Sequence, residues 1–124
     1  MQVLVVDDQR DYCHLVARWL RKLGAGVRVE LATSADEALS LMQSMTPDLL
    51  ITDLRMPGMD GLELTRKVKE KAPAPVVVLM TSIEPPRFRE YANAAGADYW
   101  VDKDKLQGRL PEFLRKRFGL GMRI

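Results

Sequence analysis

Hydrophobic and polar residues form two alternating kinds of segment along this chain. Four short runs are almost entirely apolar, and a fifth alternates apolar with charged positions, as a strand with one wetter face does. Between them lie longer segments in which apolar residues recur every three or four positions, the spacing of one helical face. The alternating run is predicted at a sheet edge, and the apolar run at residues 76–80 is predicted in the centre of the sheet. The predicted strands are residues 2–6, 27–32, 49–51, 76–80 and 99–101.

The first three helical segments are bounded by residues that start or stop helices. Gly24 is predicted to end a first helix of about fourteen residues. Ser34 and Glu37 have the spacing of a capping box at the start of the second helix. The third helix is predicted over residues 61–71, before Pro73. The buried stripe predicted for the first helix comprises Tyr12, Leu15, Val16, Trp19, Leu20 and Leu23.

Prolines and a glycine set the predicted limits of the last two helices. Pro85 and Pro86 suit the first turn of the fourth helix, which is predicted to run to Ala95. Gly108 and Pro111 interrupt the final segment, so the fifth helix is predicted to begin near residue 110 and to end at about residue 118. Alternating strands and helices of this length predict a parallel sheet with right-handed crossovers, covered by helices on both faces.

Composition narrows the class of protein. A length of 124 residues predicts one domain covering 1–124, and no apolar run approaches the length of a membrane span. The single cysteine, Cys13, excludes an intrachain disulfide, and no signal peptide opens the chain, which fits a cytoplasmic protein. A net charge of +2 is too small to indicate direct binding of nucleic acid.

Polar side chains follow four of the predicted strands, at the point where each strand ends. Asp7 and Asp8 follow the first strand, Asp53 the third, Thr81 the fourth and Lys103 the fifth. The ends of parallel strands meet at one edge of an open α/β sheet, where ligands bind. We therefore expect these side chains to lie together.

These residues, in this order, resemble the receiver domains of bacterial two-component response regulators. The matching features are Asp7-Asp8, the segment DLRMPGMDG beginning at Asp53, Thr81 followed by a small serine, the turn at residues 96–98, and Lys103. The resemblance extends from residue 3 to about residue 118 and suggests a stand-alone, single-domain member. It implies a doubly wound (βα)5, flavodoxin-like three-layer sandwich with strand order 2-1-3-4-5.

The acidic cluster predicts a cation site. Two full charges about 4 Å apart repel by roughly 4 kcal/mol at an effective dielectric constant of 20, so three carboxylates require a cation. Oxygen ligands in a small site that receives a phosphate favour Mg²⁺. By resemblance, Asp8, Asp53 and the backbone carbonyl of Arg55 are direct Mg²⁺ ligands, while Asp7 acts mainly through water.

The resemblance also implies the chemistry and the partners. Asp53 would accept a phosphoryl group from a histidine kinase or a histidine phosphotransfer protein, with Thr81 and Lys103 contacting the phosphoryl oxygens. The protein would then be a signalling phosphoacceptor, with no enzymatic activity beyond its own phosphorylation and dephosphorylation. Its output protein is unspecified, and it would be a monomer or a weak phosphorylation-dependent dimer.

Signal output would follow from movement of Thr81 toward the phosphoryl group. In receivers an aromatic side chain three residues before the lysine fills the vacated space, and here that residue is Trp100. It is either a rotamer switch coupled to the surface of the fourth helix, fifth strand and fifth helix, or an ordinary packed tryptophan on an edge strand.

Departures from the family pattern leave alternatives open. Asp104 stands where a proline commonly follows the lysine in a cis peptide, so we expect a trans bond and a different path for the loop after it. Arg55 and Ile83 occupy positions that tune the rate of phosphate loss in the family.

The alternative function is a pseudo-receiver that docks proteins without accepting phosphate. A phosphatase with an aspartyl nucleophile is disfavoured because Arg55 replaces its usual second aspartate. A flavin-binding protein is disfavoured because no phosphate loop follows the first strand.

Overall fold

Residues 1–24 and 26–119 are described in a computed structural model of the protein, so residues 120–124 of the predicted domain lie outside the described part. Strands and helices alternate along it. Their bounds are β1 Gln2–Val6, α1 Arg10–Arg21, β2 Arg28–Ala32, α2 Ala35–Leu41, β3 Leu49–Asp53, α3 Gly61–Lys69, β4 Val76–Thr81, α4 Phe88–Ala95, β5 Tyr99–Asp102 and α5 Lys103–Phe118.

The strands form one parallel sheet in the order β2-β1-β3-β4-β5. This confirms the predicted topology, with the alternating strand β2 at one edge and the wholly buried strand β4 in the interior. Among the described residues, no helix is both long and apolar enough to cross a bilayer.

Side chains alternate between the two faces of the sheet and build two separate layers of core. Val3 and Val5 of β1 pack in the cluster that includes α1 and α5, whereas Leu4 and Val6 pack in the cluster that includes α2 and α3. A third cluster joins Leu79 of β4 to α4. Since strand side chains point alternately up and down, each apolar strand serves both layers. The result is the predicted three-layer, flavodoxin-like sandwich.

The predicted start of the fifth helix was wrong, because α5 begins at Lys103 and includes Gly108 and Pro111. Its buried residues Leu106, Leu110 and Leu114 are spaced four apart and are almost fully enclosed. Burial of three leucines stabilises the helix by roughly 5–9 kcal/mol, more than the cost of about 4 kcal/mol for an internal glycine and proline. Residues 104–110 therefore form helical turns and not a loop. The Lys103–Asp104 peptide is trans, as predicted.

The start of the fourth helix was also wrong. It begins at Phe88, beyond the proline pair, although it ends at Ala95 as predicted. Arg87 has a left-handed backbone with φ 60°, which interrupts any helical path between Pro86 and Phe88. A residue that precedes a proline is also driven away from the helical region, and this applies to Glu84 and Pro85.

The first and third helices end earlier than predicted, at residues 21 and 69, and the second ends at residue 41. In α1 the buried face is also rotated: Cys13, Val16, Ala17 and Leu20 are enclosed, while Leu15 is 37% exposed. Small side chains at positions 13 and 17 allow the helix to approach the sheet closely, a feature that a search for large apolar residues misses. The Cys13 thiol is consequently buried, and burial and the Asp7 charge raise its pKa to about 11.

Candidate functional site

The five predicted site residues lie together at the carboxyl edge of the sheet. Asp7 follows β1 directly, Asp53 is the last residue of β3, Thr81 is the last residue of β4, and Lys103 follows β5. Asp7, Asp8 and Asp53 each present a carboxylate oxygen within 4.8 Å of the others. The Lys103 ammonium lies 2.6 Å from Asp7 Oδ2 and 3.4 Å from Asp53 Oδ2.

Asp7 is fixed in place and fully buried. Its backbone N–H donates to the Ala32 carbonyl at 3.1 Å, and its Oδ1 accepts a hydrogen bond from the Gln9 backbone N–H at 2.9 Å. Its Oδ2 lies 2.6 Å from the Lys103 ammonium as an ion pair, and no other donor among the described residues reaches it. A carboxylate oxygen can accept from more than one partner, so this buried oxygen can also bind a cation or its water.

Asp53 lies in a less polar environment than an ordinary surface aspartate, being only 6% exposed. Burial, and then the neighbouring Asp7 charge, raise the pKa of its carboxyl group to about 6, against the opposing effect of Lys103. The carboxylate is therefore held at an energetic cost in the free protein. The cost falls when positive charge is added beside it.

Lys103 is the only lysine or arginine in contact with this cluster among the described ion pairs. Its side chain is 9% exposed. Burial disfavours the charged ammonium, but Asp7 and Asp53 outweigh burial and raise the pKa of Lys103 above its ordinary value. Three carboxylates and one ammonium leave a net charge of −2 at the site when all are ionised.

The geometry of the three carboxylates suits Mg²⁺. Ligand atoms on opposite sides of an octahedral Mg²⁺ lie about 4.2 Å apart, since each bond is about 2.1 Å long. The observed oxygens are within 4.8 Å of one another, near the separation of opposite ligands, and the side chains would turn inward to reach the separation of about 3.0 Å between adjacent ligands. Asp8 is exposed, which leaves one side of the cluster open to solvent and to waters of the ion. Oxygen ligands and a surplus of negative charge both favour this hard cation.

Thr81 is buried, and its hydroxyl already has a partner. The Oγ1–H donates to the backbone carbonyl of Ile83 at 2.7 Å, across the loop that follows β4. Ile83 itself is 73% exposed. Its side chain and that of Arg55, also exposed, line a small groove with Thr81 and Ser82. The two positions expected to tune phosphate loss therefore lie beside each other at the mouth of the site.

Trp100 lies on the same face of the sheet as Thr81. It is partly buried and packs against Leu54, Leu79 and Phe88. Together with Thr81 and residues of α4 and α5, it lines an open groove of about 460 Å³. The position is compatible with a moving side chain and with an ordinary packed tryptophan.

Two residues at the site were not identified from the sequence. Tyr12 was assigned to the buried stripe of α1, but its ring lies beside the Lys103 ammonium. Gly61 was recognised only as part of a motif; a Cβ there would lie 2.2 Å from the carbonyl oxygen of Asp53. The position of Gly61 in the first turn of α3, after a strand and a short loop, was the available signal. For Tyr12 the available signal was its position four residues after Asp8, about one helical turn away.

The sequence family that matches this chain is the response regulator receiver domain, over residues 3–115. Transcriptional regulatory protein ZraR of Klebsiella oxytoca is 36% identical over 118 residues, which cover 92% of this chain and 26% of that protein. DNA-binding transcriptional regulator NtrC of Salmonella typhimurium is 40% identical over 80 residues, covering 64% of this chain and 17% of that protein. The chain thus spans a minor part of these relatives.

Solved structures agree with the sequence match. The receiver domain of the putative response regulator NarL from Mycobacterium tuberculosis has a TM-score of 0.82 with 28% identity, covering 93% of both chains. A receiver domain from Colwellia psychrerythraea has a TM-score of 0.88 over 96% of this chain and 98% of its own, but at 21% identity it supports the fold alone. The chain belongs to the response regulator receiver domain family, whose members are signalling phosphoacceptors of two-component systems.

Proposed function

We propose that this receiver domain accepts a phosphoryl group on Asp53 from a phosphohistidine of a kinase or phosphotransfer protein. The observation that carries the proposal is the cluster of Asp7, Asp8 and Asp53 within 4.8 Å, with the Lys103 ammonium 3.4 Å from the Asp53 carboxylate. An acceptor, a cation site and a fixed positive charge would then lie at one point of the molecule. Phosphoryl transfer depends mainly on positioning and on neutralisation of charge, and these groups supply both.

The acceptor is the Asp53 carboxylate. With a pKa of about 6 it is mostly ionised at neutral pH, so it needs no general base. One of its oxygens forms a bond to phosphorus as the phosphorus–nitrogen bond of the phosphohistidine breaks. The electron pair of that bond leaves with the imidazole, which then takes up a proton. The product is an aspartyl phosphate, which water can later hydrolyse at the same site.

The other residues bind and orient the phosphoryl group. Asp8, Asp53 and the Arg55 carbonyl would hold Mg²⁺ directly and Asp7 would hold it through water, and the bound ion would supply positive charge next to the acceptor. The Lys103 ammonium would contact one phosphoryl oxygen. The Thr81 hydroxyl would exchange its bond to the Ile83 carbonyl for a bond to another phosphoryl oxygen.

Output is proposed to arise on the surface formed by α4, β5 and α5. Withdrawal of the Thr81 hydroxyl from the loop carbonyl would free the loop between β4 and α4, which contains the left-handed Arg87. Trp100 borders the same groove as Thr81, and its side chain would move in response. A protein partner would bind this surface.

The proposal is tested by incubating the protein with acetyl phosphate, with Mg²⁺ or with EDTA, and measuring intact mass. Wild type should gain one phosphoryl group only with Mg²⁺, and Asp53→Asn should gain none. Asp60→Asn is the matched control, because Asp60 lies in the loop that follows Asp53 and an asparagine can still cap α3. It should react like wild type. A folded wild-type protein that gains no phosphoryl group would refute the proposal and favour the docking module without phosphate.

A further inference from the structure

Tyr12 makes two contacts with a single residue from a distant part of the chain. Its hydroxyl donates to the backbone carbonyl of Lys103 at 3.3 Å, and its ring centroid lies 4.6 Å from the Lys103 ammonium nitrogen. The first contact reaches the backbone at the junction of β5 and α5, and the second reaches the charged end of the side chain. Both ends of Lys103 are therefore in contact with the same aromatic residue.

The ring of Tyr12 is itself held in position. It packs edge-on against Trp19, two turns further along α1, with 6.2 Å between ring centroids at an angle of 90°. It also packs against the core cluster between α1, α5 and the sheet. An aromatic ring fixed in this way offers a rigid, electron-rich face to a cation.

Lys103 needs such support more than a surface lysine would. A lysine side chain is long and flexible, and it makes point contacts without the fixed fork of an arginine. Here its ammonium lies 2.6 Å from Asp7 but 3.4 Å from Asp53, the proposed acceptor. The contact with the Tyr12 ring limits the positions that the ammonium can take. The nearby contact at the carbonyl limits the positions of its backbone.

We propose that Tyr12 is a positioning residue for Lys103, holding its ammonium at the acidic cluster where an incoming phosphoryl oxygen will be bound. This inference rests on the proposed function for its consequence, the rate of phosphoryl transfer. Its structural content, the placement of the Lys103 side chain, does not depend on that function. The phenol stays neutral and able to donate, because burial and the charges of Asp7 and Asp53 raise the pKa of Tyr12.

The direct test of placement is nuclear magnetic resonance of the lysine side chains. Ring current from Tyr12 should shift the ε-methylene protons of Lys103 upfield, with the signal assigned from its loss in Lys103→Met. The shift should persist in Tyr12→Phe, which keeps the ring, and should vanish in Tyr12→Leu. Leu15→Ala is the control, since Leu15 lies on the same helix with 37% exposure and should leave the signal unchanged.

The same variants test the consequence for phosphoryl transfer from acetyl phosphate with Mg²⁺. Tyr12→Leu should lower the rate about threefold to tenfold, the effect expected for loss of one cation–π contact, while Tyr12→Phe should stay within about twofold of wild type. A Lys103 signal that is unchanged in Tyr12→Leu, or a Tyr12→Leu rate equal to wild type, would overturn the inference. If wild type itself forms no adduct, the proposed function fails, and the resonance shift in wild type still decides whether the Tyr12 ring holds the Lys103 side chain beside it.

Discussion

Removal of the Asp53 charge should make the folded protein more stable when no divalent cation is present. The carboxylate is 6% exposed and shares its site with Asp7 and Asp8, while a single ammonium, that of Lys103, offsets the three charges. Asp53→Asn keeps the size and shape of the side chain and removes one negative charge. We therefore expect the free energy of unfolding to rise in EDTA at neutral pH.

The magnitude follows from the pKa of Asp53, which burial and then Asp7 raise from 3.8 to about 6. At about 1.4 kcal/mol per pKa unit, the ionised form costs the fold about 3 kcal/mol above both values. Coulomb's law gives the same order, since two charges 4.8 Å apart repel by about 3–4 kcal/mol at an effective dielectric constant of 20. Asp53→Asn should recover about 3 kcal/mol at pH 7.

The gain should depend on pH in a defined direction. Between pH 3.8 and about 6 the folded state binds more protons at Asp53 than the unfolded state, so the stability of wild type falls as pH rises through this window. Asp53→Asn lacks this loss. The difference between the two proteins should be small near pH 4, grow up to about pH 6.5 and stay constant above it.

Urea denaturation at several pH values, in EDTA and in Mg²⁺, measures these differences. With a typical dependence of stability on urea, 3 kcal/mol shifts the midpoint by about 1–2 M. Mg²⁺ should stabilise wild type far more than Asp53→Asn, because one of its ligands is lost. Glu30→Gln, an exposed carboxylate on edge strand β2, is the control and should change nothing. An Asp53→Asn protein no more stable than wild type in EDTA at pH 7 would refute the reasoning.

Further substitutions test how the site and α5 are built. Gly61→Ala should lower the free energy of unfolding by about 2 kcal/mol or more and slow phosphorylation, because its Cβ would meet the Asp53 carbonyl oxygen at 2.2 Å. Gly108→Ala, in open space within α5, should instead raise the free energy of unfolding by about 0.5–1 kcal/mol. Urea denaturation measures both changes. Lys103→Met should destabilise the protein by about 3 kcal/mol in EDTA, because the carboxylates lose their counter-charge. Mg²⁺ should restore part of the lost stability, as measured by thermal melts. Thr81→Val should cost about 1 kcal/mol because a buried hydroxyl loses its bond to the loop carbonyl, whereas Thr81→Ser should retain most of that stability and the response to acetyl phosphate.

The sequence alone predicted the order of strands and helices and the place of the acidic site. Apolar strands that end at Asp7, Asp53 and Thr81 carry a local signal, because the hydrophobic run and the polar residue after it are adjacent in the chain. Parallel sheet geometry then brings those ends to one edge without further information. The same local signals placed the Ser34 cap, where the side chain accepts from the Glu37 N–H at 3.1 Å.

Helix limits were less predictable, because tertiary burial outweighed local preference. In α5, Gly108 and Pro111 indicated an interruption, but three leucines buried against the sheet keep the helix continuous from Lys103. In α4, the left-handed backbone of Arg87 moved the start of the helix past the proline pair. The local sequence pattern predicts neither the area that the α5 leucines bury nor the backbone dihedral angle of Arg87.

The contacts that tune the site were decided by the tertiary structure alone. Tyr12 and Lys103 are 91 residues apart, and their contact depends on how α1 and the start of α5 pack beside the sheet. The closeness of Gly61 to the Asp53 carbonyl depends likewise on how α3 packs against the end of β3. The sequence determined which charged groups meet at the sheet edge, because each follows its own strand. Which neighbours hold those groups in position was decided by packing between distant segments, since distances between side chains of different elements have no periodicity along the chain.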